Sequence, residues 1–264
     1  MQTIVLATQK GGSGKSTLAI GLALAAQQAG HNVRLIETDQ QGTLSNWQSR
    51  RGLAEPLVET VYNPNDIEPR LRALDRGGVT LTIIDTAGGV SASTTAAIRH
   101  ADLCLIPARP SVADIEASAS TLGVARAWQK PFAFVLNQTP IRGQRIDKAA
   151  NALGDNAALE LADVVARPFI VMRNDHQDAL AAGLGVSEYA PSGKSADEIR
   201  GLWQWADIKL NGGVATDAQR ASDVAKVEFP IMLIPAPAAV AVEPAPEHPV
   251  AAWGETSVAW DSGL

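Results

Sequence analysis

Residues 10–17 combine glycines, lysines and hydroxyl side chains in an order suited to binding phosphate: Lys10, Gly11, Gly12, Ser13, Gly14, Lys15, Ser16 and Thr17. Glycines permit a tight turn whose backbone N–H groups converge on an anion, and a following helix adds the positive end of its dipole. In such a loop Lys15 contacts the β- and γ-phosphates of a nucleotide, and the Ser16 hydroxyl is suited to ligate Mg²⁺. The sequence therefore predicts a phosphate-binding loop, although the usual pattern G-x-x-x-x-G-K-[ST] requires glycine where this chain has Gln9.

Two acidic residues follow other apolar runs. Asp39 lies in Glu37-Thr38-Asp39-Gln40-Gln41-Gly42, and Asp85 ends Leu81-Thr82-Ile83-Ile84-Asp85, before Thr86-Ala87-Gly88-Gly89. A lone acid at a strand end is usually a solvated cap. Three segments of this kind in the order loop, Asp39, Asp85 instead indicate one site for phosphate and metal.

Short apolar runs alternate with helical patterns along the chain. Strands are predicted at 2–7, 33–37, 81–85, 103–107, 132–137 and 164–171, and helices at 15–29, 66–76, 92–100, 112–128, 142–153 and 196–209. This alternation predicts an α/β fold of the P-loop NTPase type, a mostly parallel twisted sheet with helices on both faces. Ligands of such sheets bind beyond the carboxyl ends of the strands, where each of the motifs above falls.

Composition divides the 264 residues into two parts. The net charge is −6, but residues 211–264 hold seven acids and two bases, so residues 1–210 are nearly neutral. We predict a domain at 1–210 and, at 211–264, an acidic Pro/Ala-rich tail that is largely disordered, with Trp253 and Trp260 available to a partner. The one cysteine, Cys104, excludes a disulfide framework and favours a reducing cytoplasm. The first residues lack the features of a signal peptide, and no run has the length of a membrane span.

The block at 10–17 resembles the deviant Walker A motif, KGGxGK[ST], of the ParA/MinD family of P-loop ATPases, and the resemblance extends from residue 1 to about 208. It implies ATP and Mg²⁺ as cofactors and a dimer formed on ATP binding. Lys10 matches the family's signature lysine, which reaches the phosphates of the partner subunit's nucleotide. A second ammonium there would stabilise the dimer and the charge that develops during phosphoryl transfer.

The resemblance also assigns roles to single residues. Asp39 corresponds to the acid that orients the attacking water and helps to organise the metal site, although Glu37 and Gln40 depart from the family's D-x-D-P-Q-G. Asp85 would hold Mg²⁺ through water, and the Gly88 N–H would sense the γ-phosphate. The resemblance also implies that Asn137, Pro168 and Phe169 contact the adenine base.

Missing features separate this chain from several branches of the family. One cysteine does not hold an iron–sulfur cluster of the usual type, and the tail has neither a basic amphipathic helix for a stable membrane anchor nor a tyrosine cluster. The chain instead resembles small ParA proteins, including ParF-like, McdA-like and VirC-like relatives. The resemblance makes Lys194 the best candidate for contacting DNA, with Arg173 and Arg200 nearby and a second basic cluster at Arg142, Arg145 and Lys148.

The leading hypothesis is an ATP-dependent dimerising switch, cytoplasmic and nucleoid-associated, that binds DNA non-specifically and positions plasmid, chromosome or protein cargo. A ParB-like or cargo-adaptor partner would stimulate its slow, Mg²⁺-dependent ATP hydrolysis. The alternative is an ATPase adaptor for a secretion, T-DNA transfer or polar-localisation machine without general DNA binding. A ligase on the same fold is less favoured because the sequence shows no second substrate site.

Overall fold

A computed structural model describes residues 1–159 and 161–212. The predicted tail lies almost entirely outside these residues, so the division of the chain at 210 stays a prediction. The strands are β1 (Gln2–Leu6), β2 (Val33–Glu37), β3 (Leu57–Thr60), β4 (Leu81–Asp85), β5 (Leu103–Ala108) and β6 (Phe132–Leu136). The helices are α1 (Lys15–Gln28), α2 (Thr43–Arg50), α3 (Pro64–Arg76), α4 (Ala92–Arg99), α5 (Val112–Ala127), α6 (Gln144–Ala157), α7 (Leu161–Val164), α8 (Asp175–Ala181), α9 (Val186–Tyr189) and α10 (Lys194–Leu210).

The six strands form one parallel sheet in the order β3-β2-β4-β1-β5-β6. Because side chains alternate along a strand, β1 supplies both faces of the sheet. Ile4 and Leu6 belong to the core that includes residues of α1, α2, α8, α9 and α10, whereas Val5 belongs to the core that includes residues of α3, α4, α5 and α6. The predicted fold class is confirmed. Parallel register brings the carboxyl ends of β1, β2 and β4 to one edge.

One predicted strand is wrong, and five elements were not predicted. The segment 164–171 makes only isolated bridges to the sheet, Phe134 to Val165 and Thr139 to Val171, and Pro168 between them has no N–H to donate to a ladder. The unpredicted elements are four short helices and one edge strand. The helices are α2, α7, α8 and α9, and the strand is β3, whose residues are half-buried or exposed.

Helix α2 is fixed at both ends. The buried carboxylate of Glu37 accepts hydrogen bonds from the backbone of Leu44 and Ser45 and from the Ser45 hydroxyl, which caps the first turn. At the other end, the Arg51 guanidinium forms a bidentate pair with Glu188, both bonds at 2.7 Å. These contacts restrict the movement of α2. The loop at 38–42 thus connects β2 to a helix that is held in place.

Candidate functional site

The phosphate-binding loop connects the end of β1 to α1. Gly12 and Gly14 adopt left-handed φ values of 74° and 89°, which a glycine reaches without steric cost. Gly14 is also packed closely, because a Cβ there would lie 2.3 Å from the Asn137 side-chain nitrogen. The sequence 10–17 therefore forms the turn that its glycines predict.

Behind this loop, three side chains form a charged cluster. Lys15 is buried, with 8% of its surface exposed, and no ion pair within residues 1–159 and 161–212 includes it. Ser16 donates its hydroxyl to Asp85 at 2.5 Å. Burial lowers the pKa of Lys15, against the opposing charges of Asp85 and Asp39, and burial raises the pKa of Asp85 to about 7 despite the Ser16 hydrogen bond and the Lys15 charge.

Two buried side-chain oxygen atoms have no hydrogen-bond partner in the part of the chain that the structure describes: the hydroxyl oxygen of Ser13, in the loop itself, and Oδ1 of Asp85, in the cluster behind it. Burying a polar atom without a hydrogen-bond partner lowers the stability of the folded state, so such an atom often indicates that a ligand is missing. A phosphate group would pair with the Lys15 ammonium, and a hard cation bound to that phosphate would pair with the free Asp85 oxygen. No described cluster of three or more His, Cys, Asp or Glu side chains could hold a metal alone. Mg²⁺ is typically held by one or two carboxylates with substrate phosphates, so Ser16 and Asp85 fit a Mg²⁺-nucleotide.

Asp39 lies in the loop that follows β2, close enough for its charge to act on both Lys15 and Asp85. Its carboxylate accepts the Gln41 N–H at 3.0 Å, which fixes its direction, and it is only partly buried. The unpredicted feature here is the role of Glu37: this departure from the family pattern caps α2. Glu37 precedes the capped residue Leu44 by seven positions, and this spacing is only a weak sequence signal of a helix cap. The capping role of Glu37 was therefore not predicted.

The turn after β4 packs directly on the phosphate-binding loop. A Cβ on Gly88 would lie 3.6 Å from the Gly11 nitrogen and 3.7 Å from the Gln9 carbonyl oxygen, and Gly89 donates its N–H to Thr8. The structure therefore brings Gly88 beside the loop. Its contact with a γ-phosphate stays a prediction.

Lys10 points instead toward the start of α5. Its ammonium lies 3.8 Å from the buried Asp114 carboxylate, which also accepts from Arg109 and Ser111. Burial alone would raise the pKa of Asp114, but these hydrogen bonds, with the charges of Arg109 and Lys10, hold it below its usual value. Lys10 is 39% exposed, so it is accessible to a second molecule. The Ser111-to-Asp114 spacing is a helix-start signal that sequence reasoning did not use.

The residues predicted to contact adenine lie at the end of β6 and in the segment that follows α7. The Asn137 amide donates to the Ser13 carbonyl at 2.7 Å, and the neighbouring Gln138 amide donates to the Gly12 carbonyl at 2.9 Å. Pro168 packs on α10, where a Cβ on Gly201 would lie 2.7 Å away, and the Arg167 guanidinium covers Phe169 at 3.9 Å. The adenine contacts stay predictions, whereas the support that Asn137 and Gln138 give to the phosphate-binding loop is observed.

A model of one protein family, described as the CobQ/CobB/MinD/ParA nucleotide binding domain, matches residues 4–227. The chain belongs to this family. The predicted ParA/MinD relationship is thereby confirmed.

Known proteins of the ParA/MinD type are similar to the chain over different lengths. Protein ParA of Rhizobium radiobacter is 31% identical over 46% of this chain, a match that spans only 55% of ParA itself. Maintenance of carboxysome distribution protein A of Halothiobacillus neapolitanus is 27% identical over 75% of this chain and 92% of its own length. The solved structure of the septum site-determining protein MinD of Pyrococcus horikoshii, complexed with Mg-ADP, has a TM-score of 0.61 at 16% identity, covering 78% of this chain and 96% of that one.

The predicted DNA-contacting residues differ in how they are engaged. Arg173 pairs with Glu198 at 2.8 Å, and Arg200 pairs with Asp197 while also donating to the Pro191 carbonyl. Lys194, the first residue of α10, is exposed and has no ion pair among the described residues. Two of the three candidates thus have an ion-pair partner within the chain.

None of the helices in the described segments has both the length and the apolar character that crossing a bilayer requires.

Proposed function

We propose that the chain binds MgATP, hydrolyses it slowly, and uses it as a dimerising switch that binds DNA and positions cargo. The observation that carries the proposal is the buried cluster behind the phosphate-binding loop. Lys15 and Asp85 are held out of water without a full set of protein partners, so a ligand that supplies both phosphate oxygens and a cation would satisfy them together.

In the proposed reaction, this chain's residues position and stabilise charge. Lys15 and the loop amides bind the phosphates, while Ser16 and Asp85 hold Mg²⁺, which neutralises charge on the β- and γ-phosphates. Asp39 orients the water whose oxygen bonds to the γ-phosphorus as the bond to ADP breaks. Because the motifs offer no arginine finger, unassisted turnover is slow, and a ParB-like or cargo-adaptor partner accelerates it.

Substitution of Asp39 tests the catalytic role. Asp39→Asn keeps an oxygen that accepts the Gln41 N–H but removes the charge, so MgATP affinity is retained while phosphate release falls by about 100-fold or more. Asp66→Asn, at an exposed position on α3, is the control. Steady-state phosphate release together with nucleotide titration separates binding from turnover. Full activity of Asp39→Asn would remove this residue from the mechanism.

Substitution of Lys10 tests the dimer. The wild-type protein is expected to sediment as a dimer with ATP and as a monomer without it, whereas Lys10→Ala remains monomeric in both states. Loss of its partly exposed contact with Asp114 costs little stability, so the variant folds. Lys130→Ala, near the start of β6, serves as the control. ATP-induced dimers of Lys10→Ala would contradict a role for Lys10 across the dimer interface.

The cargo is proposed from relatives. The name of one relative, maintenance of carboxysome distribution protein A, indicates distribution of a cellular body. The resemblance to ParA proteins implies plasmid or chromosome cargo. A second candidate, an adaptor for a secretion or T-DNA transfer machine without DNA binding, is favoured by the ion pairs that engage Arg173 and Arg200. DNA binding that weakens steeply with salt distinguishes the two.

A further inference from the structure

Three exposed cations lie together where the chain enters α6: Arg142, Arg145 and Lys148, called the basic patch below. They line a single cleft with Pro140, Gly143 and Gln144. All three side chains are exposed, and none forms an ion pair with any residue of 1–159 or 161–212. One acid, Asp147, lies in the same first turn, so the patch keeps a net positive charge.

The basic patch is connected to the phosphate-binding loop by a few residues. The β6–α6 connection begins with Asn137 and Gln138, whose amides hold the Ser13 and Gly12 carbonyls. Gln138 has a left-handed φ of 53°, a conformation that costs energy for a residue with a side chain and persists where surrounding contacts impose it. These two hydrogen bonds are therefore a physical connection through which a shift of the loop carbonyls would reach the segment that leads to Arg142.

We propose that the basic patch binds the phosphate backbone of DNA, and that the contacts of Asn137 and Gln138 make this binding depend on the bound nucleotide. The inference rests on the proposed ATP-dependent switch and gives it a DNA-binding surface different from that formed by Arg173, Lys194 and Arg200. A site that contacts only phosphates accounts for binding without sequence preference.

The surroundings of the patch favour nucleic acid over a membrane. Two of its three cations are arginines, whose planar guanidinium groups match phosphate oxygens in a bidentate way. The apolar residues of α6 face the core, where Ala149, Ala150 and Leu153 are buried. The helix thus has no apolar face to insert into lipid, as an interfacial helix would need.

The test compares two triple variants that remove the same charge. In the patch variant, Arg142→Ala, Arg145→Ala and Lys148→Ala are combined; in the control, Arg72→Ala, Arg76→Ala and Lys130→Ala remove three cations that lie away from the patch. Binding of the ATP-bound, full-length proteins to a random-sequence duplex is measured between about 50 and 200 mM salt, and basal ATP hydrolysis is measured in parallel.

We expect the patch variant to lose DNA affinity on the order of 100-fold, with the slope of log K against log salt reduced by about 3, whereas the control changes little. Basal ATP hydrolysis stays at the wild-type rate in both. Equal DNA binding by the patch variant and the control would overturn the inference and leave the proposed function intact. Binding by the wild type to anionic vesicles but not to DNA would overturn both this inference and the DNA-binding part of that function.

A further variant tests the coupling. Gln138→Ala removes one of the two amides that hold the loop but leaves the basic patch unchanged. The ratio of DNA affinity with ATP to that with ADP should fall at least threefold toward one. An unchanged ratio would contradict the proposed connection, even if the patch itself binds DNA.

Discussion

Lys15 and Arg51 are buried to nearly the same extent, with 8% and 9% of their surfaces exposed, but their surroundings are opposite. The Arg51 guanidinium has a bidentate pair with Glu188, donates to the Glu55 and Gly183 carbonyls, and lies 5.0 Å from the centre of the Trp47 ring. The Lys15 ammonium has neither a described ion pair nor a described hydrogen bond. A buried cation with all its partners holds elements together, whereas one without them indicates where a ligand binds.

The largest expected effect comes from breaking the complete pair. Arg51→Ala leaves the Glu188 carboxylate partly buried without its partner and removes packing on Trp47, so the free energy of unfolding should fall by about 3–5 kcal/mol. Arg72→Ala, in an exposed pair with Glu68, should change it by less than about 1 kcal/mol. Urea unfolding of both variants measures the difference, and equal effects would remove the distinction between the two pairs.

Lys15→Ala should have the opposite outcome. Because the ammonium has no described partner to lose, the free energy of unfolding without ligand should stay the same or rise. MgATP affinity should fall by about 100-fold, which corresponds to about 2.7 kcal/mol. Thermal unfolding of the ligand-free protein and nucleotide titration report the two quantities separately. A clearly less stable variant would show that Lys15 has a structural role like that of Arg51.

Substitution of Asp85 should change the free energy of unfolding by a smaller amount, and this change should depend on pH. Burial raises its pKa to about 7, so the folded protein holds this proton more tightly than the unfolded chain does. The stabilisation of the folded state by this bound proton is fully present below about pH 4 and is lost as the pH rises through 7. Asp85→Asn should therefore be more stable than the wild type by roughly 2 kcal/mol at pH 8, less than the full linkage value because the new NH₂ group needs an acceptor.

Thermal unfolding in the absence of nucleotide between pH 5 and pH 8 measures this difference. The gap between Asp85→Asn and the wild type should narrow toward the acid end of the range. A constant gap would mean that Asp85 is ionised throughout and that its burial carries no such cost.

The sequence allowed prediction of those parts of the fold and site that depend on local pattern. The apolar runs at 2–7, 33–37 and 81–85 gave strands almost at their observed bounds, because fully buried parallel strands need continuous apolar residues. The glycines and Lys15 gave the phosphate-binding loop. The edge strand β3 escaped prediction because it has solvent on one side and no such run.

Ion pairs and hydrogen bonds between residues far apart in the chain could not be predicted from the sequence. Arg173 and Glu198 are 25 positions apart, and nothing in either neighbourhood shows that their charges meet. The segment 164–171 has a strand-like composition, but whether it joins β6 depends on hydrogen bonds that Pro168 cannot make. Likewise, the amides of Asn137 and Gln138 reach the phosphate-binding loop across more than a hundred residues.

The position of β1 in the sheet has a further consequence. Its residues are hydrogen-bonded to β4 on one side and to β5 on the other, whereas β3 pairs only with β2. Amide protons of β1 should therefore exchange with deuterated solvent among the slowest in the molecule and those of β3 much sooner. The phosphate-binding loop, which follows β1, is thus attached to the part of the sheet expected to open last, so local opening at the outer strands can leave this loop in place.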